Sequence, residues 1–161
     1  MIGSPNFARL IYDGDGSAFE IPGPKGSEEI ENTFAKHFKR EGLESRETAF
    51  DGRSDYLPFI DVGIPAGGLF TGAEEIKTPA EQKLFGGTAG VAFDPCYHQA
   101  CDTIDNVSRK ALKQMAPAVA DAVARYAFST DSLGGGKKGG KGGKDRAAKI
   151  SSDYLGGHLR R

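Results

Sequence analysis

At 161 residues, with 21 Lys+Arg against 22 Asp+Glu, the chain has the length of one domain with a core rather than several. No run of about 20 apolar residues occurs in it, so nothing spans a bilayer as a helix. The net charge of -1 hides two unlike parts: from Gly134 onward eight Lys/Arg face two acids, and the preceding body carries the acidic excess.

In chain order, the apolar run Ala8 to Tyr12 reads as a strand ended by the turn Asp13-Gly14-Asp15-Gly16. That turn has half the ligands of a calcium loop and lacks the rest, which favours a solvated turn. Ser27, as N-cap ahead of Glu28 and Glu29, starts a helix to Arg40 with Ile30, Phe34, Ala35 and Phe38 on one face, closed by Gly42. His37 falls off that stripe among basic residues, which predicts a surface position. Arg46 to Phe50 reads as a short strand, and Ser54 as the cap of one helical turn limited by Pro58. The glycine-rich stretch Gly63 to Phe70 reads as a loop feeding a buried strand. Thr78-Pro79 starts a further helix to about Phe85. Asp105 or Asn106 caps a terminal helix that Pro117 kinks or splits, with Val119, Ala122, Val123 and Tyr126 facing inward. Residues 134–161 form a Gly/Lys-rich, flexible basic tail beyond a body of residues 1–133. Its run from Gly134 to Lys144 has no interleaved aromatics for base stacking, which argues against a nucleic-acid partner.

The centre of the chain is the stretch Gly86 to Thr103, which holds both cysteines, Cys96 and Cys101, with Tyr97 and His98 between them. Three readings fit it. Cys96, His98 and Cys101 could be zinc ligands, although a structural site needs four and no second Cys/His cluster lies nearby. The cysteines could be unrelated buried thiols. Or they close a short disulfide that presents Tyr97 and His98 from a rigid turn; so tight a loop leaves those side chains few directions, which favours this reading.

The segments Gly86-Gly87-Thr88-Ala89-Gly90, Phe93-Asp94-Pro95-Cys96-Tyr97-His98 and Cys101-Asp102-Thr103 resemble the last metal-binding motif of the secreted di-zinc aminopeptidases, peptidase family M28. Three more blocks agree in order and spacing: Met1 to Asn6, Gly52 to Tyr56 with Phe59, and Gly63 to Glu74. The resemblance covers roughly residues 1–128. It implies an α/β chain, the C-terminal part of a three-layer α/β/α zinc-exopeptidase fold with a mainly parallel mixed sheet. It implies peptide substrates with a free N-terminus, zinc as cofactor, His98 as a zinc ligand and Tyr97 as a group stabilising the transition state. Arg53, a surface arginine on composition alone, would hold the substrate's N-terminal end, while Phe70 and Met1 would contact substrate. Some relatives bind calcium on the terminal helix, but Lys113 and Pro117 stand where carboxylates are needed, so no calcium is expected.

In the resembling family an aspartate ligand directly precedes the block matching Met1 to Asn6, and a first histidine, a bridging aspartate and a pair of glutamates lie further upstream. His98 alone remains of five expected ligands. The expectation is an N-terminally truncated chain, inactive alone, from a protein that is secreted although no signal peptide is evident. The alternative is a noncatalytic binding or scaffold domain derived from the same fold.

Overall fold

The computed structural model describes residues 1–134; the tail expected from Gly134 onward otherwise lies outside the described residues. The centre is a three-stranded mixed sheet in the order β2-β1-β3. Strand β1 (Leu10–Tyr12) pairs parallel with β2 (Arg46–Thr48), with Leu10 opposite Arg46 and Tyr12 opposite Thr48. It pairs antiparallel with β3 (Leu69–Phe70), with Leu10 opposite Phe70 and Ile11 opposite Leu69. The parallel pairing requires a crossover, and α1 (Ser27–Arg40) supplies it. All three residues of β1 are buried, as a strand covered on both faces demands. Because side chains alternate along a strand, Ile11 joins a cluster with Phe34, Phe38, Leu69, Met115, Ala118 and Ala122. Leu10 packs instead with Ala8, Phe85 and Phe93, and Tyr12 with Phe50, Tyr56 and Ile60.

Helix α1 has the expected bounds and a different cap. Gly26 is the N-cap at φ 103°, and Ser27 is the first helical residue. The Ser27 hydroxyl accepts from the Ala66 amide at 3.1 Å, so it ties α1 to the loop before β3 and leaves the helix end to Glu28, whose carboxylate accepts from the Gly26 amide. At the other end Gly42 sits at φ 67°, its amide bonded to the Lys39 carbonyl and the Leu43 amide to the Phe38 carbonyl. This paired closure needs a left-handed residue, hence glycine. His37 is buried, not on the surface: its Nδ1 lies 3.0 Å from Asp121 Oδ2 on the facing helix. That carboxylate, with hydrogen bonds from His37 and Arg40, is held below its usual range.

The remaining helices are α2 (Leu57–Asp61), α3 (Pro79–Phe85) and α4 (Arg109–Phe128). The cap of α2 is Tyr56, not Ser54, and Pro58 lies within its first turn, where its missing amide costs nothing. Thr78 and Glu81 cap α3 reciprocally. Residues Ile104–Asn106 form a short 3-10 helix, and Ser108 caps α4 by accepting from the Ala111 amide, which displaces the expected Asp105 or Asn106 cap. Pro117 neither splits α4 nor ends it; it sits on the exposed face, where the carbonyl it leaves unpaired can meet water. The inward stripe is Ala111, Met115, Ala118 and Ala122, and Val123, expected inward, is 62% exposed because it lies one residue off that stripe. Val119 and Tyr126 pack at its margin. No helix of the described residues is long and apolar enough to cross a membrane.

Candidate functional site

The two cysteines are joined, with Cα atoms 5.3 Å apart. Their sulfurs are therefore neither zinc thiolates nor free thiols, and of the three readings the disulfide stands. The turn it closes is fastened from beneath by Asp94, which is buried and accepts from the Cys96 amide at 3.0 Å and from Asn106 Nδ2 at 2.9 Å. The Asp94 amide donates to Ala73 at 2.7 Å and the Phe93 amide to Glu75 at 3.0 Å, so the turn is bound to the segment after β3. Gly72 (φ 86°) permits that approach, since a Cβ there would lie 2.2 Å from the Phe93 ring.

On this turn Tyr97 and His98 stack, ring centroids 3.9 Å apart and 20° from parallel. His98 takes φ 55°, a left-handed conformation uncommon for a residue with a Cβ. Its side chain is exposed, and neither ring nitrogen has a hydrogen-bond partner among the described residues. An imidazole so placed is open to an external ligand.

Beside Tyr97 lies a cleft of about 240 Å³ lined by residues from distant parts of the chain, among them Met1, Tyr12, Arg53, Phe70, Glu75 and Tyr97. Four of the residues expected from the sequence, Met1, Arg53, Phe70 and Tyr97, thus meet at one cavity. His98 adjoins it through Tyr97 and is not part of its wall. Phe70 is half-buried: it packs against the cores around Leu10 and Tyr12 and also lines the cleft. The aromatic floor continues through Tyr12, which stacks on Phe50 at 5.1 Å and on Phe70 at 6.4 Å. Burial pushes the Tyr12 phenol up to about 12. Tyr56, whose phenol also rises through burial, accepts from the Gly52 amide and donates to Asp51 at 3.0 Å, bracing the loop that carries Arg53.

Arg53 is the most engaged side chain at the rim. Its Nη2 lies 2.7 Å and 2.9 Å from the two oxygens of Glu74, its Nη1 lies 3.5 Å from Glu75, and its Nε 4.0 Å from Asp51. Its guanidinium carbon sits 5.8 Å from the Tyr97 ring centroid. The hydrogen bond to Glu74 raises the Arg53 pKa further, and the same bond lowers that of Glu74. This acidic surround was not anticipated: Glu74 is twenty-one residues away in sequence, and only the adjacent acids Glu74 and Glu75 after an apolar strand hinted at it.

The Asp13-Gly14-Asp15-Gly16 turn is not simply solvated. Asp13 is buried and accepts from the amides of Gly16, Ser17, Ala18 and Phe19, which brings Phe19 to the cleft. Asp13, Asp15 and Glu31 are the one group of three potential metal ligands close together among the described residues. Their oxygens accept from backbone amides, including Glu31 from Gly14 and Asp15, and His98 is not among them.

These features define a mixed α/β domain that offers an open imidazole and a phenol, on a disulfide-braced turn, beside an aromatic cleft with a charged rim. Sequence comparison makes the class specific: the Peptidase family M28 profile matches residues 1–123, and the chain belongs to that family. It is 57% identical over 129 residues to "Leucine aminopeptidase 2" of Trichophyton rubrum, covering 80% of this chain and 26% of that protein. It is 53% identical over 133 residues to "Probable leucine aminopeptidase 2" of Aspergillus fumigatus, covering 83% of this chain and 26% of the relative. With "Aminopeptidase" of Pseudomonas aeruginosa the identity is 49% over 130 residues, 81% of this chain and 24% of the relative. The chain thus spans about a quarter of the length of the curated relatives it matches.

Proposed function

We propose that residues 1–133 are the C-terminal portion of the catalytic domain of a zinc-dependent aminopeptidase, within a three-layer α/β/α fold completed by the rest of the protein. Its substrates are peptides with a free N-terminus. The observation that supports this most is the meeting of Met1, Arg53, Phe70 and Tyr97 at one cleft beside the unpartnered imidazole of His98, in a chain of this family. A disulfide suits an oxidising compartment, and we infer a secreted protein.

Zinc, when bound, supplies a Lewis acid that polarises a carbonyl and a water. His98 is the residue here suited to hold it, as a neutral imidazole with a free ring nitrogen. The Tyr97 hydroxyl donates to the oxyanion that develops on the attacked carbonyl, a contact stronger in the transition state than in the ground state. Arg53, its guanidinium fixed by Glu74, donates to carbonyl oxygen at the substrate's N-terminal end. Phe70, Tyr12 and Met1 give the first side chain an apolar wall.

A catalytic zinc takes three protein ligands as a rule, and among the described residues His98 belongs to no group of three potential ligands. The proposal assigns the remaining ligands and the general base to the part of the relatives' length that this chain does not span, and it expects residues 1–161 alone to be inactive. In the whole protein His98→Ala removes zinc, read by metal analysis, together with most release of leucine from leucine p-nitroanilide. Tyr97→Phe keeps the metal and slows turnover by the ~10²–10³-fold typical of losing one oxyanion donor. Chelator-sensitive hydrolysis by residues 1–161 alone, or full metal content in His98→Ala, overturns this assignment.

A further inference from the structure

We propose that Glu74 is a positioning residue of the cleft: it holds the Arg53 guanidinium against the Tyr97 ring and so keeps the stacked Tyr97 and His98 in one orientation. The inference rests on the peptidase reading for its kinetic consequence only; its structural content is independent.

Both oxygens of Glu74 reach a single nitrogen of Arg53, at 2.7 Å and 2.9 Å, a geometry that fixes the guanidinium far more closely than the looser approaches of Glu75 and Asp51 at 3.5 Å and 4.0 Å. Arg53 comes from the loop after β2, and Glu74 from the segment after β3. That second segment is hydrogen-bonded to the Tyr97 turn on either side of Glu74, through Asp94 to Ala73 and Phe93 to Glu75. The ion pair therefore straps the Asp51-Gly52-Arg53 loop, which lines the cleft, to the segment that carries the turn. The guanidinium approaches the Tyr97 ring at 5.8 Å, and Tyr97 stacks on His98 at 3.9 Å. Position is thus handed from a carboxylate to a guanidinium to a phenol to an imidazole. Glu74 stacks on neither aromatic ring; its hydrogen-bonded link to them runs through Arg53, and its carboxylate is also close enough to His98 to interact electrostatically.

The pair is partly exposed, with side chains 40% and 55% accessible, so it adds little to stability. Glu74→Gln should fold as the parent does, which separates positioning from folding.

The test is NMR of residues 1–161 and of the Glu74→Gln, Glu74→Asp and Glu47→Gln variants, the last a charge control on an exposed strand position. In the parent, Arg53 gives separate, slowly averaging Nη signals, and the Tyr97 and His98 ring protons carry mutual ring-current shifts. In Glu74→Gln the Arg53 signals collapse to an average and the ring-proton shifts of both aromatics move toward free values. Glu74→Asp retains part of the parent pattern, and Glu47→Gln retains all of it. Unchanged Tyr97 and His98 shifts in Glu74→Gln overturn the proposal, whatever happens to Arg53. In the active whole protein Glu74→Gln lowers kcat roughly 10–100-fold with zinc content unchanged, the scale of a misplaced rather than missing group. Unchanged kcat in an active protein also overturns the proposal. A whole protein with no peptidase activity overturns the peptidase reading alone, because the NMR result still decides the structural inference.

Discussion

Opening the Cys96–Cys101 bridge separates what holds the turn together from what aims His98. The bridge spans five positions of sequence, and so short a loop withdraws little entropy from the unfolded chain, about 2 kcal/mol at 25 °C in the loop-closure account. That is a change of roughly 30-fold in the folding constant. The turn itself should survive in a Cys96→Ser, Cys101→Ser variant. Asp94 still accepts from residue 96 and from Asn106, and the Gln99 amide still donates to the carbonyl of residue 96. His98 should not keep its place, since its φ of 55° costs a residue with a Cβ about 1–2 kcal/mol and persists only where the surroundings enforce it. Once the loop relaxes, the imidazole swings off the Tyr97 ring. Urea unfolding of residues 1–161 should lose about 2 kcal/mol, equally in the double variant and in the reduced parent. In the whole protein, the zinc binding proposed for His98 should weaken in the same samples. The reasoning is refuted if stability falls as expected while the Tyr97–His98 ring-current shifts and the zinc content stay at parent values, for then hydrogen bonds alone aim the imidazole.

Three further outcomes follow from named contacts. Phe38→Ala empties a fully buried site packed among Ile11, Phe34 and Met115 and should cost about 3–5 kcal/mol in urea unfolding; a loss under about 1 kcal/mol means that the two helices collapse onto the gap. Tyr12, raised from 10.0 to about 12 by burial, keeps its proton longer in the folded state than in the unfolded one. Its contribution is therefore fully present below pH 10 and lost as pH rises through about 12, and Tyr12→Phe should flatten the fall in unfolding free energy over that range; an equal slope in both proteins removes Tyr12 as its source. Asp13→Ala deprives the amides of Gly16, Ser17, Ala18 and Phe19 of their acceptor and should cost about 2–3 kcal/mol. Hydrogen exchange should accelerate at those amides first, and unchanged protection there shows that the turn stands without the carboxylate.

What could be read from the sequence divides along a physical line. Helix α1 was legible from Ser27 to Arg40 because its stripe of Ile30, Phe34 and Phe38, its first-turn acids and Gly42 are all within reach of its own backbone. Its cap was not, because the Ser27 hydroxyl is drawn to Ala66, thirty-nine residues on. His37 was misread for the same reason: the stripe of α1 says nothing of Asp121, which approaches from α4 and makes a buried imidazole tolerable. The Tyr97-His98 turn was legible because its disulfide and its spacing are local, and Met1, Arg53 and Phe70 entered as candidates through family blocks rather than through any chemistry of their own neighbourhoods. Glu74 ends one such block with no role legible from its neighbours, since a carboxylate acquires a role only from the cation it meets. That cation arrives on a loop ordered by Tyr56 and Asp51, and the carboxylate rides on a segment ordered by Phe93 and Asp94. The pair therefore joins two separately ordered loops, which leave a sheet whose strands β2 and β3 lie on opposite sides of β1.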